Sequence, residues 1–310
     1  MSFKTLKTAV AAMLGAAMLL GASACGTTDA TVDDDGNATN ATVGYDVSSV
    51  AKDDAIAALV PEDVAKSGKL SVGMELSYAP AEFLAEDGKT PVGYDVDIAT
   101  ALGKVMGLET EIVSSSFDSI VASVGAKYDL GITAMTINEE RMKSVDFVSY
   151  YKAGFSWIVR KGNPNGVDTS NLCGLKIAVQ TGTVQEEEAN AAAAKCKADG
   201  KDAIEVMSLK QQTEAATSVV TGKADVFYAD SPVGGYAISQ TGGELESLGD
   251  VEGVAKQGVA IAKGDEAMDH AVQQAMQKLM DDGTYMKILK HWGTEAGALD
   301  KAEINPTDLS

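Results

Sequence analysis

Histidine, cysteine and basic side chains are all scarce in this chain, and each shortage closes off a class of function. His270 and His291 are the two histidines among 310 residues. No His-Glu-x-x-His, Gly-x-Ser-x-Gly, Walker A or Gly-x-Gly-x-x-Gly pattern occurs, so the usual signatures of zinc proteolysis, serine hydrolysis and nucleotide binding are missing. The three Cys include no Cys-x-x-Cys spacing, which argues against redox and zinc chemistry. Lys and Arg number 25 against 45 Asp and Glu, for a net charge of −20. Phosphate binding needs a basic footprint, so nucleic acid and anionic lipid are poor partners. Long apolar runs are lacking too. The one candidate, Ala9 to Ala24, is too short to cross a ~30 Å hydrocarbon core comfortably.

That run makes better sense as a signal peptide. Lys4 and Lys7 precede it, and it ends in Gly21-Ala22-Ser23-Ala24-Cys25-Gly26. Basic residues, an apolar stretch and small residues at the end are the marks of an export leader spanning 1–25. The end resembles a bacterial lipobox, in which Cys25 becomes a lipidated N-terminus, although Ala22 stands where Leu is usual. The competing reading is ordinary cleavage at Ala22-Ser23-Ala24 with Cys25 a bystander. Residues 26–60 are acidic, with a net charge of −6, and poor in large apolar side chains. They are expected to form a disordered tether. If Cys25 is lipidated, Cys173 and Cys196 remain as a pair, and an exported protein with two further Cys suggests a disulfide, with two buried free thiols as the competing reading.

Beyond the tether, short apolar runs alternate with helical patterns. Strands are expected at Leu70–Met74, Glu109–Val113 and Asp129–Thr133, with helices at Asp95–Met106 and Phe117–Val124 between them. The order restarts with strands at Leu175–Gln180, Ile204–Leu209 and Ala224–Tyr228, and helices at Thr183–Lys197, Gln211–Thr221 and Ser231–Gln240. This is the α/β class, with crossover helices in two lobes, each expected to have its own sheet. A last strand is expected at Val259–Ala262. An amphipathic helix follows over Asp265–Asp282, where Met268, Val272, Met276, Leu279 and Met280 recur at helical spacing. Core packing explains those methionines better than a soft-metal site.

Three places could hold a small charged ligand. Arg141 follows a strand end at Thr133 and a possible capping box, Thr136-x-x-Glu139, and its fork suits a carboxylate; a surface Arg on a capped helix is the competing reading. Thr183-x-x-Glu186 is a second capping box after Gly182, at a helix N-terminus open to an anion or simply well capped. Asp230 follows the apolar strand Val226-Phe-Tyr228, at the C-terminal end where ligands of α/β sheets bind, and could hold an ammonium group or cap the next helix.

Tyr78-Ala79-Pro80, Gly93 to Asp97, Phe117-Asp118, Met135 to Arg141, Ala178 to Thr183 and Asp282 to Tyr285 stand in an order that resembles the polar amino-acid solute-binding proteins of ABC importers, over about residues 61–300. The resemblance implies a two-lobed type II clamshell with two crossover strands, lobe 1 being 61–154 plus 256–310 and lobe 2 being 155–255. It implies a ligand-binding function without catalysis or cofactor. Arg141 would take a ligand α-carboxylate with backbone N–H groups of Thr136 and Thr183. Asp230 would take the α-ammonium with the Ala134 carbonyl. Tyr78 and Phe117 would sandwich the side chain, and Glu75 matches an acidic position that contacts basic ligands, though an exposed strand-end Glu competes with that role. Ala81, Ala134 and Val184 depart from the family's Phe, hydroxyl residue and Thr. The implied partners are a polar L-amino acid, a permease and its ATPase subunits. The protein would be a monomer, anchored by lipid on the outer face of the bacterial cytoplasmic membrane. A dehydratase-like enzyme, using Glu75 or Glu82 as acid–base group, or a ligand sensor would be the alternatives on this scaffold.

Overall fold

The computed structural model describes residues 42–310. The leader with Cys25, and residues 26–41 of the expected tether, lie outside the described residues. The remainder of that tether is a correction, because residues 42–60 pack on the body. Val47, Ile56 and Val60 are buried, and the Tyr45 N–H donates to Asp97 Oδ2 at 2.8 Å. Asp53 caps the short helix α1 (Asp54–Ala57) by accepting from the N–H groups of Ala55 and Ile56. Composition hides this, since a few spaced apolar residues anchor a polar segment once a surface exists to receive them.

Helix α2 (Glu62–Ser67) ends on left-handed Gly68 and leads into strand β1 (Lys69–Met74). Strands β2 (Ser77–Tyr78), β3 (Glu82–Leu84) and β4 (Pro91–Val92) form a small separate sheet. Gly93 is needed next, because a Cβ there would stand 2.1 Å from the Ala81 carbonyl oxygen. It opens α3 (Tyr94–Met106), which has Asp95 and Asp97 in its first turn and Lys104 in its last, as the helix dipole favours. Val96, Ile98, Ala99, Leu102, Val105 and Met106 are all buried, in accord with their spacing.

Strand β5 (Glu109–Ser114) follows. The helix expected over Phe117–Val124 is cut to α4 (Phe117–Ile120). Val124 pairs with Tyr128 across a turn at Gly125, whose φ is +77°. The strand expected over Asp129–Thr133 is cut to β6 (Leu130–Gly131). Beyond it Ala134 adopts φ +46° and the chain leaves the sheet.

Strand β7 (Val145–Arg160) is followed by β8 (Lys176–Gln180), α5 (Val184–Ala198), β9 (Glu205–Leu209), α6 (Gln212–Val220), β10 (Val226–Asp230) and α7 (Ser231–Gln240), close to the expected bounds. Strand β11 (Leu245–Ala262) contains the expected Val259–Ala262 and begins fourteen residues earlier. Helices α8 (Glu266–Asp281) and α9 (Thr284–His291) come last. Met268, Val272, Met276 and Leu279 of α8 are buried in the core.

The two sheets expected are one hydrogen-bonded sheet of eight strands, in the order β5-β1-β6-β11-β7-β10-β8-β9. Its two ends are parallel βα arrays, and β7 and β11 run antiparallel between them as the two crossover strands. Their pairing extends from Val145↔Ala262 to Arg160↔Leu245, with register shifts between Leu248 and Gly258. The architecture is a two-lobed α/β fold joined through these strands.

Cys173 and Cys196 form a disulfide that ties the start of β8 to the end of α5, closing a separation of 23 residues. Serine at both positions is expected to lower unfolding free energy by about 3 kcal/mol, the chain-entropy value for such a loop. Urea denaturation under non-reducing conditions measures this, and a loss below ~1 kcal/mol would contradict the chain-entropy account.

Candidate functional site

The C-terminal ends of β1, β8 and β10 converge with the loop after β6, the position at which open α/β sheets take ligands. Arg141 lies on that loop, in a 3-10 turn of three residues, Arg141–Lys143. An α-helix capped by Thr136 was expected; instead the Asn138 side chain accepts from the Arg141 N–H at 2.8 Å, an Asx-type turn that favours a tight bend. The guanidinium is not a surface group. Its Nη1 donates to the Thr136 carbonyl at 2.7 Å and its Nη2 to the Gly182 carbonyl at 3.0 Å. Its Cζ lies 5.4 Å from the centre of the Phe117 ring. Burial pushes its pKa down, and the charges of Glu187 and Asp230 oppose that. Of its five N–H groups, three remain for another acceptor.

Asp230 occupies the N-cap position of α7 but accepts no helix N–H, so capping does not explain it. Gln185 Nε2 donates to its Oδ1 at 2.7 Å and Gln257 Nε2 to its Oδ2 at 2.8 Å. Burial still pushes its pKa up to about 6, against the pull of Tyr78, the two amides and Arg141. Tyr78 lies against this carboxylate while Phe117 lies under Arg141.

Glu75 corrects the expectation of an exposed strand-end residue. It is only 6% exposed. Its Oε2 accepts from Ser77 Oγ at 2.9 Å, Ser77 N at 3.3 Å and Gln180 Nε2 at 2.9 Å. Desolvation raises its pKa, partly offset by Gln180 and Ser77. Among the described ion pairs none involves Glu75.

Thr183 caps α5, accepting from Glu186 N–H at 3.2 Å and donating to the Gln180 carbonyl at 2.7 Å. The second half of the expected box is displaced by one residue, since the Glu186 carboxylate accepts from Gly182 N–H. Thr136 pairs with Gln257 in an isolated bridge that seats the Arg141 loop on β11. Ala134 donates its N–H to Asp95 Oδ2 at 2.7 Å.

The glutamines are the part that sequence reasoning missed. Gln180, Gln185 and Gln257 each direct an amide N–H at a site carboxylate. The carbonyl oxygens of Gln180 and Gln257, and both amide atoms of Gln212, are buried without a partner. Gln180 and Gln185 flank the Gly182–Thr183 corner and were within reach of the sequence argument. Gln257 sits on a crossover strand, where no local pattern marks it.

The two lobes touch around this site. Gln212 N–H donates to Ser77 Oγ at 2.9 Å, and Lys210 reaches Asp118 at 2.6 Å. A cavity of about 600 Å³ lies elsewhere, against the crossover segments at Tyr151–Gly154 and Val251–Val254, and includes neither Arg141 nor Asp230. Among the described residues no cluster of three or more His, Cys, Asp and Glu is placed to hold a metal, and no helix is long and apolar enough to cross a membrane.

Comparison with known proteins gives one consistent pattern. Residues 70–295 match the model of the bacterial extracellular solute-binding proteins, family 3. The chain is 37% identical over 257 residues to the arginine-binding protein ArgT of Corynebacterium glutamicum, covering 82% of this chain and 84% of that one. It is 29% identical over 232 residues to the L-cystine-binding protein TcyJ of Escherichia coli K12, covering 74% and 84%. An arginine-bound ancestral arginine-binding protein superposes with a TM-score of 0.67 at 30% identity, covering 73% of this chain and 98% of its own. The ancestral amino-acid-binding protein AncCDT-1, described as a precursor of cyclohexadienyl dehydratase, gives 0.67 at 31% identity, covering 74% and 98%.

Gly182 packs directly against Asp118 of the other lobe. Its φ is +85°, and a Cβ there would lie 2.9 Å from the Asp118 Cβ and 3.0 Å from its Cα. Gly182→Ala is expected to cost about 1–2 kcal/mol in backbone strain and to force the lobes apart. Small-angle scattering should report a larger radius of gyration than the parent, and an unchanged radius would refute the contact.

Proposed function

Because the chain belongs to the bacterial extracellular solute-binding proteins of family 3, as the substrate-binding component of ABC amino-acid transport, we propose that its ligand is an L-amino acid with a cationic side chain, arginine first. The observation that carries this is Glu75, a buried carboxylate in the site with no cation beside it among the described residues. An α-carboxylate answers Arg141 and an α-ammonium answers Asp230. That leaves Glu75, and an unpaired buried carboxylate is costly. A guanidinium or ammonium at the end of the ligand side chain offsets that cost, and the unpartnered carbonyl oxygen of Gln180 adds an acceptor for it.

In this reading the three remaining N–H groups of Arg141 clamp the α-carboxylate with backbone N–H groups of Thr136 and Thr183. Asp230 and the Ala134 carbonyl hold the ammonium, and Tyr78 and Phe117 flank the side chain. Lobe 1 comprises 61–154 plus 256–310, with 42–60 packed on it, and lobe 2 comprises 155–255. Each supplies part of the site, so ligand stabilises the closed form that the permease reads. The protein is exported as a monomer, and Cys25 carries acyl chains that hold it to the membrane at ~0.8 kcal/mol per buried CH₂.

Titration calorimetry against the twenty amino acids tests this. Arg141→Ala should abolish measurable binding, a loss of at least ~3 kcal/mol for removing one side of a buried charge pair; unchanged affinity would sink the site assignment. Glu75→Gln should weaken arginine by roughly tenfold or more, equivalent to ~1.4 kcal/mol, while leaving glutamine within a few-fold. Recovering the ligand unchanged after long incubation separates this function from a dehydratase-like enzyme.

The pH dependence has a definite sign. Asp230 sits at about 6 in the free protein, and an ammonium beside it lowers that value. Affinity should be fully present above pH 7 and fall by up to about tenfold per unit below pH 6 as Asp230 takes up a proton. A flat profile between pH 5 and 7 would exclude Asp230 as the ammonium partner.

A further inference from the structure

Behind the site lies a second pair of carboxyls that the proposed ligand never touches. Glu82, at the start of β3, and Asp95, in the first turn of α3, are both fully buried. One oxygen of each has a donor. Glu82 Oε1 accepts from Thr133 Oγ1 at 2.6 Å, and Asp95 Oδ2 accepts from Ala134 N–H at 2.7 Å. The other oxygens, Glu82 Oε2 and Asp95 Oδ1, have none. The two carboxyls interact with each other. The titratable groups that act on them are Glu75 just after β1, Tyr78 on β2, Tyr94 on α3, Tyr150 and Tyr151 on β7, and Tyr285 on α9. None of these is a cation. The Tyr150 phenol lies against Asp95 but outside good hydrogen-bond geometry.

Two adjacent carboxylates cannot both stay ionised in such a place. A single proton resolves the conflict, because it turns one orphaned oxygen into a donor to the other. We propose that Glu82 and Asp95 share one proton and form a positioning pair that sets the Thr133–Ala134 corner of the ligand site. Asp95 holds the Ala134 N–H while Ala134 stands at φ +46°, a left-handed conformation that a residue with a Cβ seldom adopts. Thr133 Oγ1 donates to Glu82 and accepts the Glu75 N–H at 3.1 Å. The pair is therefore linked to the Ala134 backbone and to Glu75, two groups assigned above to the ligand's ammonium and side-chain cation. The inference rests on that assignment and deepens it. Burial drives both groups in the direction a shared proton requires, with Glu82 well above the usual carboxylate range.

A shared proton means one donor between the two carboxyls, and amide variants count that donor. Glu82→Gln supplies one without titrating, with its Oε1 still accepting from Thr133. Asp95→Asn supplies one from the opposite side. Each single variant should fold and bind arginine within about threefold of the parent at pH 7.5, whereas Glu82→Ala should weaken binding by about tenfold or more. The double amide variant sets two donors face to face, so it should be worse than the product of the singles. At alkaline pH the parent should lose affinity as the proton leaves, and Glu82→Gln should not. At pH 8, the infrared carbonyl band of a protonated carboxylic acid should be present in the parent and lost in Glu82→Gln. Failure of both single amides to fold, a Glu82→Gln as damaged as Glu82→Ala, or a double variant that is merely multiplicative would each overturn the pair. If no cationic amino acid binds the parent, the functional assignment fails by itself. The infrared band and the thermal stability of the four variants then still decide the shared proton.

Discussion

Residues 145–160 and 245–262 pair along nearly their whole lengths, and this antiparallel ladder is the constraint on which the site depends. Each lobe carries a parallel βα array that offers its strand ends to ligand, but the arrays come from distant parts of the chain. The ladder sets one against the other. It also brings Gln257 to Asp230 and, through the bridge from Thr136, seats the Arg141 loop. Its register shifts between Leu248 and Gly258 fall where β11 is most exposed, with Val251 and Val254 open to solvent. Bulges bend a strand and interrupt its pairing, which suits a segment that must flex.

Around that frame the governing cost is charge taken out of water. Glu75, Glu82, Asp95 and Asp230 are all buried, and Arg141 is the cation that acts on Asp230. Amides, hydroxyls and backbone N–H groups supply their partners in place of lysine. A neutral donor stabilises a carboxylate without cancelling its charge, so the site keeps a negative potential that a cation can answer. The surface ion pairs, such as Lys195–Asp199 and Lys66–Glu62, are exposed and contribute little.

Much of this was legible in the order of residues. Arg141 and Asp230 stand out because strand ends in α/β folds face ligand, and Thr183 because a hydroxyl before Glu186 is a local capping signal. The helices α3, α5, α7 and α8 follow from periodicity and caps within a residue or so. The failures share one cause. The helix at Phe117 stops early because Tyr128 pairs back on Val124, and β6 is short because Asp95, far off in the chain, takes the Ala134 N–H. Residues 42–60 are ordered because Asp97 receives the Tyr45 N–H and the core accepts Val47 and Ile56. Each is a long-range contact overriding a local tendency.

Local pattern alone determined the α/β class and the lobes' repeating order, suggested the pairing of Cys173 with Cys196, and singled out Arg141 and Asp230 as candidate charged groups. These depend on spacing of three to twenty residues, or on elimination among three cysteines. Only the tertiary structure decided that one sheet runs through both lobes, that Glu75 is buried, that three glutamines serve the carboxylates, and that Glu82 meets Asp95. Burial and the meeting of unlike strands are properties of the packed chain. A carboxylate's neighbours, and with them its proton, come from whichever segments the fold brings there.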